Sequence, residues 1–372
     1  MDFTALLEEL TKGFTNFTPG NAVMIVVGLV LIYFAVWKEY EPVLLLPIGF
    51  GCLLANLGMS SEVGFMKVIY DAGIKTELFP LIIFIGVGAM IDFSPLLAQP
   101  SMVLLGAAGQ FGIYGTLLLA LLLGFPLNQA ASIGVIGAID GPTAIFVGSK
   151  LAPEILAPIA VAAYSYMSLI PIIQPPNMRL MTTRKERLIR MEFAAKPVSR
   201  LTLVVFPILV TVLVALVAPD AAPLMAALML GNLLREALVV DRLSKTAQNE
   251  LINIATLFLG LAIGSTMTAQ SFLNVKTLLI LGLGLLAFVL DTIAGLLFGK
   301  LMAVVTKGKV NPLIGACGIS AFPMAGRLSA KMALEEDPSN YILMHAMGSN
   351  TAGQLGSVIA GGLLLALVNG VL

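Results

Sequence analysis

Charge is what this chain of 372 residues has least of. Lys, Arg, Asp and Glu make up 11% of it, against roughly a quarter in an ordinary soluble domain, too little polar surface to coat a globule in water. The 21 basic and 21 acidic side chains cancel, which removes any overall field that would draw the protein to nucleic acid or an anionic surface. Cys52 and Cys317 are the only cysteines, far apart and inside apolar runs, and His345 is the one histidine. Neither a disulfide framework nor a structural zinc site can be assembled from these. The sequence also lacks a phosphate-binding P-loop, a dinucleotide fingerprint, a nucleophile elbow and a His-Glu-x-x-His run. Energy for any transport must therefore come from an ion gradient or from a partner's substrate.

What is present is apolar length. Hydrophobic residues reach 58% and the mean hydropathy is +0.99. Several runs approach the roughly 20 residues that cross a bilayer, whereas a β-barrel would show short alternating segments. The predicted fold class is an all-α polytopic membrane protein, with crossings near 21–37, 42–58, 78–91, 102–124 and 155–173, then 201–218, 221–235, 250–270, 276–299 and 341–368. Glu8 and Glu9 before Lys12 are the wrong charge for a signal-peptide n-region, so the first apolar segment is expected to be retained.

Between the two series lies a basic segment, 177–200, holding Arg179, Arg184, Lys185, Arg187, Arg190, Lys196 and Arg200 against Glu186 and Glu192. The positive-inside rule places it in the cytoplasm, together with Arg235–Lys245 and Lys300–Lys309. The chain then divides into an N-terminal segment with the first crossing (1–41), a first repeat (42–176), the basic loop (177–200) and a second repeat (201–372). Setting 134–154 against 315–335 without a gap gives identities that include Pro142/Pro323, Lys150/Lys331 and Glu154/Glu335. Duplication of this kind predicts two structural repeats of inverted topology. Their Gly/Pro-interrupted segments, 129–148 and 311–328, would be re-entrant hairpins meeting near the bilayer midplane.

Asp140 is the most informative residue. A carboxylate inside an apolar run costs roughly 2.5–3.5 kcal/mol at a helix centre unless it faces a polar cavity or a partner. Gly141 and Pro142 break the helix directly after it and free backbone carbonyls, a combination suited to Na⁺; capping a helix in the headgroup region is the alternative. Asn311 and Ser320 offer neutral oxygens in the second broken segment, and read equally as a helix cap and a packing residue. Arg327 can hold an anionic group, bias the protonation of Asp140, or snorkel to the interface. Tyr164 and Tyr166 offer phenols in an aliphatic helix, or interfacial anchors. Asn350 lies in a polar island, His345–Gln354, and is a further oxygen ligand for the cation. Asp291 is a second intramembrane acid, in the place that Gln110 holds in the first half, with no role assigned.

These residues resemble a known family, the β subunits of biotin-dependent, sodium-pumping decarboxylases acting on oxaloacetate, methylmalonyl-CoA or glutaconyl-CoA. The likeness runs over essentially the whole chain. It is most specific in Gly137-Ala-Ile-Asp140-Gly-Pro-Thr, Pro171-Ile-Ile-Gln-Pro-Pro-Asn-Met-Arg179, Asn311-Pro-Leu-Ile-Gly315 and His345-Ala-Met-Gly-Ser-Asn350. The resemblance implies a membrane subunit that decarboxylates carboxybiotin on a partner's biotin carrier, exports Na⁺ and consumes a proton. It implies Asp140 as the cation-binding, proton-handling acid and Tyr166 as a functional tyrosine, with Asn311, Gly315, Ser320 and Arg327 as the second-half polar set. The implied partners are a carboxyltransferase α subunit, a biotin-carrier subunit, a small membrane-anchor subunit and further copies of the chain, in the inner membrane of a bacterium. Two other readings compete. One is a stand-alone Na⁺-coupled carboxylate transporter with Arg327 on the substrate; the other is a membrane anchor for a soluble enzyme, docked through 177–200.

Overall fold

A computed structural model describes residues 17–191 and 197–371. Glu8, Glu9 and Lys12, and Glu192 and Lys196 of the basic segment, lie outside the described residues. Those that are described form helices and connecting turns with no strand. The longer helices are α1 (Pro19–Trp37), α2 (Pro42–Asn56), α3 (Leu78–Met90), α4 (Met102–Ala108), α5 (Phe111–Leu122), α6 (Leu127–Gly134), α7 (Gly141–Leu151), α8 (Leu156–Met181), α9 (Arg200–Val217), α10 (Ala222–Ala237), α11 (Ile252–Ser265), α12 (Val275–Val305), α13 (Met324–Glu336) and α14 (Leu343–Val371). Five spans among them are long and apolar enough to cross a membrane, or seven when each of two bent helix pairs counts as one. The protein is an all-α, multi-pass membrane protein. The predicted crossings each fall on a helix. The largest differences are in the fourth, which splits into α4 and α5 at Gly109–Gln110, and the fifth, which runs on to Met181.

That fifth helix, α8, bends by 64° between Met167 and Leu169. Pro171 explains the place: it lacks an N–H and its ring crowds the carbonyl four residues back, at Met167. Burial separates the roles of the helices, since 11% of the residues of α9 are buried against 67% of an 18-residue stretch of α14. The apolar side chains of α9 are therefore left for lipid, while α14 runs through the core.

The chain divides into two compact units, one of residues 1–79 with 253–279, the other of 80–252 with 280–372. Each unit draws on both halves of the sequence. In the first, α1 and α2 cross glycine to glycine: a Cβ on Gly28 would lie 2.9 Å from the Gly49 carbonyl oxygen, and one on Gly49 2.8 Å from that of Gly28. Small residues at such crossings let backbones approach in lipid, where packing rather than water release holds helices together. Asn56 ties the unit further, donating to the carbonyls of Cys52 (2.9 Å) and Met267 (2.8 Å).

The second unit has its own close crossings. A Cβ on Gly88 of α3 would sit 1.9 Å from the Leu228 carbonyl oxygen on α10, and one on Gly231 of α10 at 1.9 Å from that of Ile85. The basic segment is strapped to the end of α13. Arg187 Nε pairs with Glu336 at 2.7 Å, Arg184 with the same carboxylate at 3.3 Å, and Arg190 with Asp337 at 2.6 Å. Asn311 and Asn340 both donate to the carbonyls of Arg187 and Ile189, at 2.8–3.2 Å. Most of the arginines predicted to set topology or dock a partner are thus ion-paired within the chain.

Arg187 holds the Glu336 carboxyl below its ordinary range. Hydrogen bonds from Ser339, then Arg190, bring that of Asp337 down to about 2 from 3.8. A lowered carboxyl stabilises the strap above its unfolded pKa and loses that contribution as the pH falls through the folded value. The strap is therefore expected to hold at neutral pH and to loosen only between about pH 4 and pH 2. Hydrogen exchange of the 184–190 amides, corrected for its intrinsic acid dependence, checks this; protection that does not change across that window would contradict it.

Candidate functional site

The site is built where two helices fail to continue. In the first half, α6 tightens into a 3₁₀ turn, Val135–Ala138, and then breaks. Ile139 is held left-handed at φ +53°, a conformation that a β-branched residue adopts only where its surroundings impose it. Asp140 follows in extended backbone and α7 starts at Gly141, with Pro142 in its first turn. In the second half the 3₁₀ turn is Pro312–Cys317, the break is Gly318–Pro323, and α13 starts at Met324. The two breaks touch through their backbones, with the Ser320 N–H donating to the Ala138 carbonyl at 3.3 Å.

Asp140 is 6% exposed. Its Oδ2 accepts from Thr143 Oγ1 at 2.7 Å, Gln354 Nε2 at 2.9 Å and Ser357 Oγ at 3.1 Å. All three donors are neutral, so the carboxylate is solvated without its charge being cancelled. No cationic side chain pairs with it among the described residues. Directly behind it Gly141 leaves room for the buried Tyr164 ring, 2.0 Å from where a Cβ would lie.

Helix α14 supplies the wall between the breaks. Asn350, Gly353, Gln354 and Ser357 recur at three- and four-residue spacing and so share one face. Asn350 Nδ2 donates to the carbonyls of Cys317 (3.2 Å) and Ile319 (2.7 Å), and Ser320 Oγ donates to that of Gly353 (3.1 Å). Gln110, between α4 and α5, donates to Gly318 (3.0 Å) and Gly353 (3.2 Å), and Gln174 of α8 to Ala316 (2.6 Å). Four consecutive carbonyls released by the break, 316 to 319, are therefore each met by a side-chain amide nitrogen. The oxygens of those three amides, Gln110 Oε1, Gln174 Oε1 and Asn350 Oδ1, are buried with no partner among the described residues. One carboxylate and a set of orphaned neutral oxygens is the donor chemistry of a hard monovalent cation.

The residues singled out from sequence are distributed unequally. Asp140 and Ser320 both reach α14, the helix that carries Asn350, Asp140 at Gln354 and Ser357 and Ser320 at the Gly353 carbonyl. Asn311 does not join them: its nitrogen is tied to the strap and its oxygen caps Leu313 N–H at 3.0 Å. Gly315 packs against α12, where a Cβ on it would lie 2.0 Å from the Gly295 carbonyl oxygen. Tyr166 is half-buried and donates its hydroxyl to the Leu281 carbonyl, with no hydrogen bond to Asp140. Arg327 is exposed on α13 and forms no ion pair with a described residue. Gln354, Ser357, Thr143 and Gln174 are not among the residues that the sequence singles out; the recurrence of polar residues at 350, 354 and 357 in an otherwise apolar helix is a signal that could have found the first two.

A family model described as the Na⁺-transporting oxaloacetate decarboxylase beta subunit matches residues 20–368. The chain belongs to this family. It is 53% identical to the methylmalonyl-CoA decarboxylase subunit beta of Veillonella parvula, over 96% of each chain. It is 52% identical to the glutaconyl-CoA decarboxylase subunit beta of Acidaminococcus fermentans, over 99% of this chain and 98% of that one. The oxaloacetate decarboxylase beta chain of Klebsiella pneumoniae is 45% identical over 98% of both. In this member of the beta-subunit family, the matched stretch contains both breaks and all of the α14 face that closes on Asp140.

Proposed function

We propose that this chain is the membrane subunit of a primary sodium pump, and that it decarboxylates carboxybiotin on a partner carrier while exporting Na⁺. The observation that carries the reading is the buried carboxylate of Asp140, held by neutral donors from α7 and α14, the latter also carrying Asn350, whose buried amide oxygen has no partner among the described residues. Family membership supplies the decarboxylase half of the reading. With Asp140 ionised, Na⁺ takes its ligands from the carboxylate, Asn350 and Ser320. Decarboxylation leaves the ureido nitrogen of biotin to gain a proton as CO₂ departs. A proton arriving at Asp140, along a route that includes the Tyr166 hydroxyl, removes the unit charge that holds the ion; loss of that attraction in a low-dielectric site releases Na⁺, and passage of the same proton to the ureido nitrogen restores the carboxylate. Asn311, Gly315 and Arg327 act around this site, on the strap, in helix packing and at the exposed face of α13 respectively.

The same reading makes the two broken segments inverted repeats with re-entrant hairpins. The matched order of 3₁₀ turn, break and α-helix supports it. It sets the basic strap in the cytoplasm, where the carrier would dock, and the protein in a bacterial inner membrane, as a homo-oligomer with a carboxyltransferase, a biotin carrier and a small anchor subunit. The relatives are named for three different substrates, which fits a choice of substrate made on another subunit.

Reconstituted vesicles test the reading. The chain alone should move no Na⁺. Addition of a carboxylated biotin carrier should produce Na⁺-dependent CO₂ release and ²²Na⁺ accumulation. Uptake of ²²Na⁺ by the chain alone, driven by a carboxylate gradient, would overturn it in favour of a secondary transporter.

A further inference from the structure

Helix α13 runs from the second break to the strap and has two unlike faces. One is sealed: Ala325, Gly326, Ser329, Ala330, Met332 and Ala333 are buried, and a Cβ on Gly326 would lie 2.8 Å from Met347 Sδ on α14. The other carries Arg327, Lys331 and Glu335, all exposed and spaced four residues apart, so that they stand in one row. Glu335 is taken by Arg179 of α8 at 3.2 Å. Arg184, Arg187 and Arg190 of the strap and Lys300 of α12 also have acidic partners. Neither Arg327 nor Lys331 forms an ion pair with a described residue.

The two halves differ at this row. In the gap-free alignment of 134–154 with 315–335, Arg327 takes the place of Phe146 and Lys331 that of Lys150. In the first half the lysine lies over the aromatic ring, its Nζ 4.4 Å from the Phe146 centroid, so that the cation is met by a partner on its own helix. In the second half the neighbour is itself a cation, and like charges one turn apart on a helix repel. Charges in a membrane protein face a polar cavity and a counter-charge. No described residue supplies the counter-charge here, so an anion from outside the chain fits the row.

We infer that Lys331, one turn outward of Arg327, is a specificity-determining residue that captures the N-carboxylate of carboxybiotin and so distinguishes loaded from discharged biotin. The inference rests on the proposed function. The carboxylate is the anionic group of this ligand, and a cation holds it by charge-assisted hydrogen bonds. Decarboxylation breaks the C–N bond, leaves the electron pair on the ureido nitrogen and adds a proton there. The product is neutral biotin, on which the two cations have no electrostatic hold. A cation on the carboxylate also stabilises the charge that must leave it, so Lys331 serves capture rather than the chemical step. Its place agrees: it stands two turns beyond Pro323, roughly 12 Å along the helix axis, on the way from the strap to the break.

The test is the rate of CO₂ release from carboxylated carrier by the full-length chain, in vesicles of neutral phospholipid and in vesicles that also contain anionic lipid. In Lys331→Gln the KM for carboxylated carrier should rise about tenfold in both, the worth of one hydrogen bond to a charged group. Inhibition by the biotinylated but uncarboxylated carrier should stay as in the wild type. Lys331→Arg should recover most of the lost affinity, and Lys150→Gln, the matched lysine of the first half, should behave as the wild type. An unchanged KM in Lys331→Gln overturns the inference. An equal loss of affinity for both forms of carrier overturns it as well, since the lysine then contacts the carrier protein; a defect confined to the anionic vesicles overturns it in favour of a headgroup phosphate. Should Lys331→Gln fail to fold, the wild type decides: its preference for carboxylated over free carrier should shrink with added salt, and a preference that salt leaves unchanged overturns the inference. A wild type that releases no CO₂ from carboxylated carrier sinks the proposed function itself.

Discussion

Asp140→Asn is expected to abolish carboxybiotin decarboxylation and Na⁺ transport together. The substitution is close to isosteric, and an asparagine oxygen can still accept from Thr143, Gln354 and Ser357, all of which converge on Oδ2. The fold around the break should therefore survive, and thermal unfolding of the purified chain should move little. What disappears is the one unit of charge in the cluster and the one carboxyl there able to take up and release a proton. A positioned acid–base group contributes about 10²–10⁴-fold in rate, and the lost attraction for the cation adds to this, so activity in carrier-supplied vesicles should fall below detection. Normal coupled turnover in Asp140→Asn vesicles would show that the cluster does neither task.

Gly315→Ala is expected to be nearly as damaging, for a different reason. Gly315 and Gly295 approach backbone to backbone: a Cβ on the first would lie 2.0 Å from the carbonyl oxygen of the second, and the reverse substitution meets the Gly315 oxygen at 2.2 Å. Backbone cannot rotate aside as a side-chain tip can. Overpacking of a well-packed core costs about 1–3 kcal/mol and occasionally more, and this contact belongs at the upper end. Gly295→Ala, on α12 and outside any predicted site, should therefore reproduce the defect. Thermal unfolding and the yield of folded chain in detergent measure both variants. A Gly315→Ala chain that melts normally but has lost Na⁺ affinity would return Gly315 to the cation's surroundings.

Much of the architecture was legible because lipid imposes a simple rule on sequence. Apolar runs bounded by Pro, Gly and charge fall on helices, five to seven of which are long and apolar enough to cross a membrane, and Pro171, Pro175 and Pro176 lie in the helix that bends. Asp140 stood out because a charge in an apolar run has few explanations. The donors that surround it did not, since Gln174, Gln354 and Ser357 are neutral and read one at a time as helix-packing residues. They acquire meaning only when chain segments more than 200 residues apart come together, as Asp140 and Gln354 do. Asn311 and Arg327 were legible as candidates, but their surroundings were not. Both flank the second break in sequence, but position along a chain does not fix the side to which a side chain turns, and Asn311 turns to the strap while Arg327 is exposed.

The amide nitrogens laid along residues 316–319 have a consequence for selectivity. A glutamine or asparagine is ordinarily ambidextrous and can greet a visitor of either polarity by flipping end for end. Gln110, Gln174 and Asn350 have surrendered that freedom, because each would have to abandon a carbonyl of an unwound backbone to turn its nitrogen outward. On the proposed function, chloride or a small carboxylate would meet electron-rich faces there, and discrimination by sign would be written into the wall before any ion arrives.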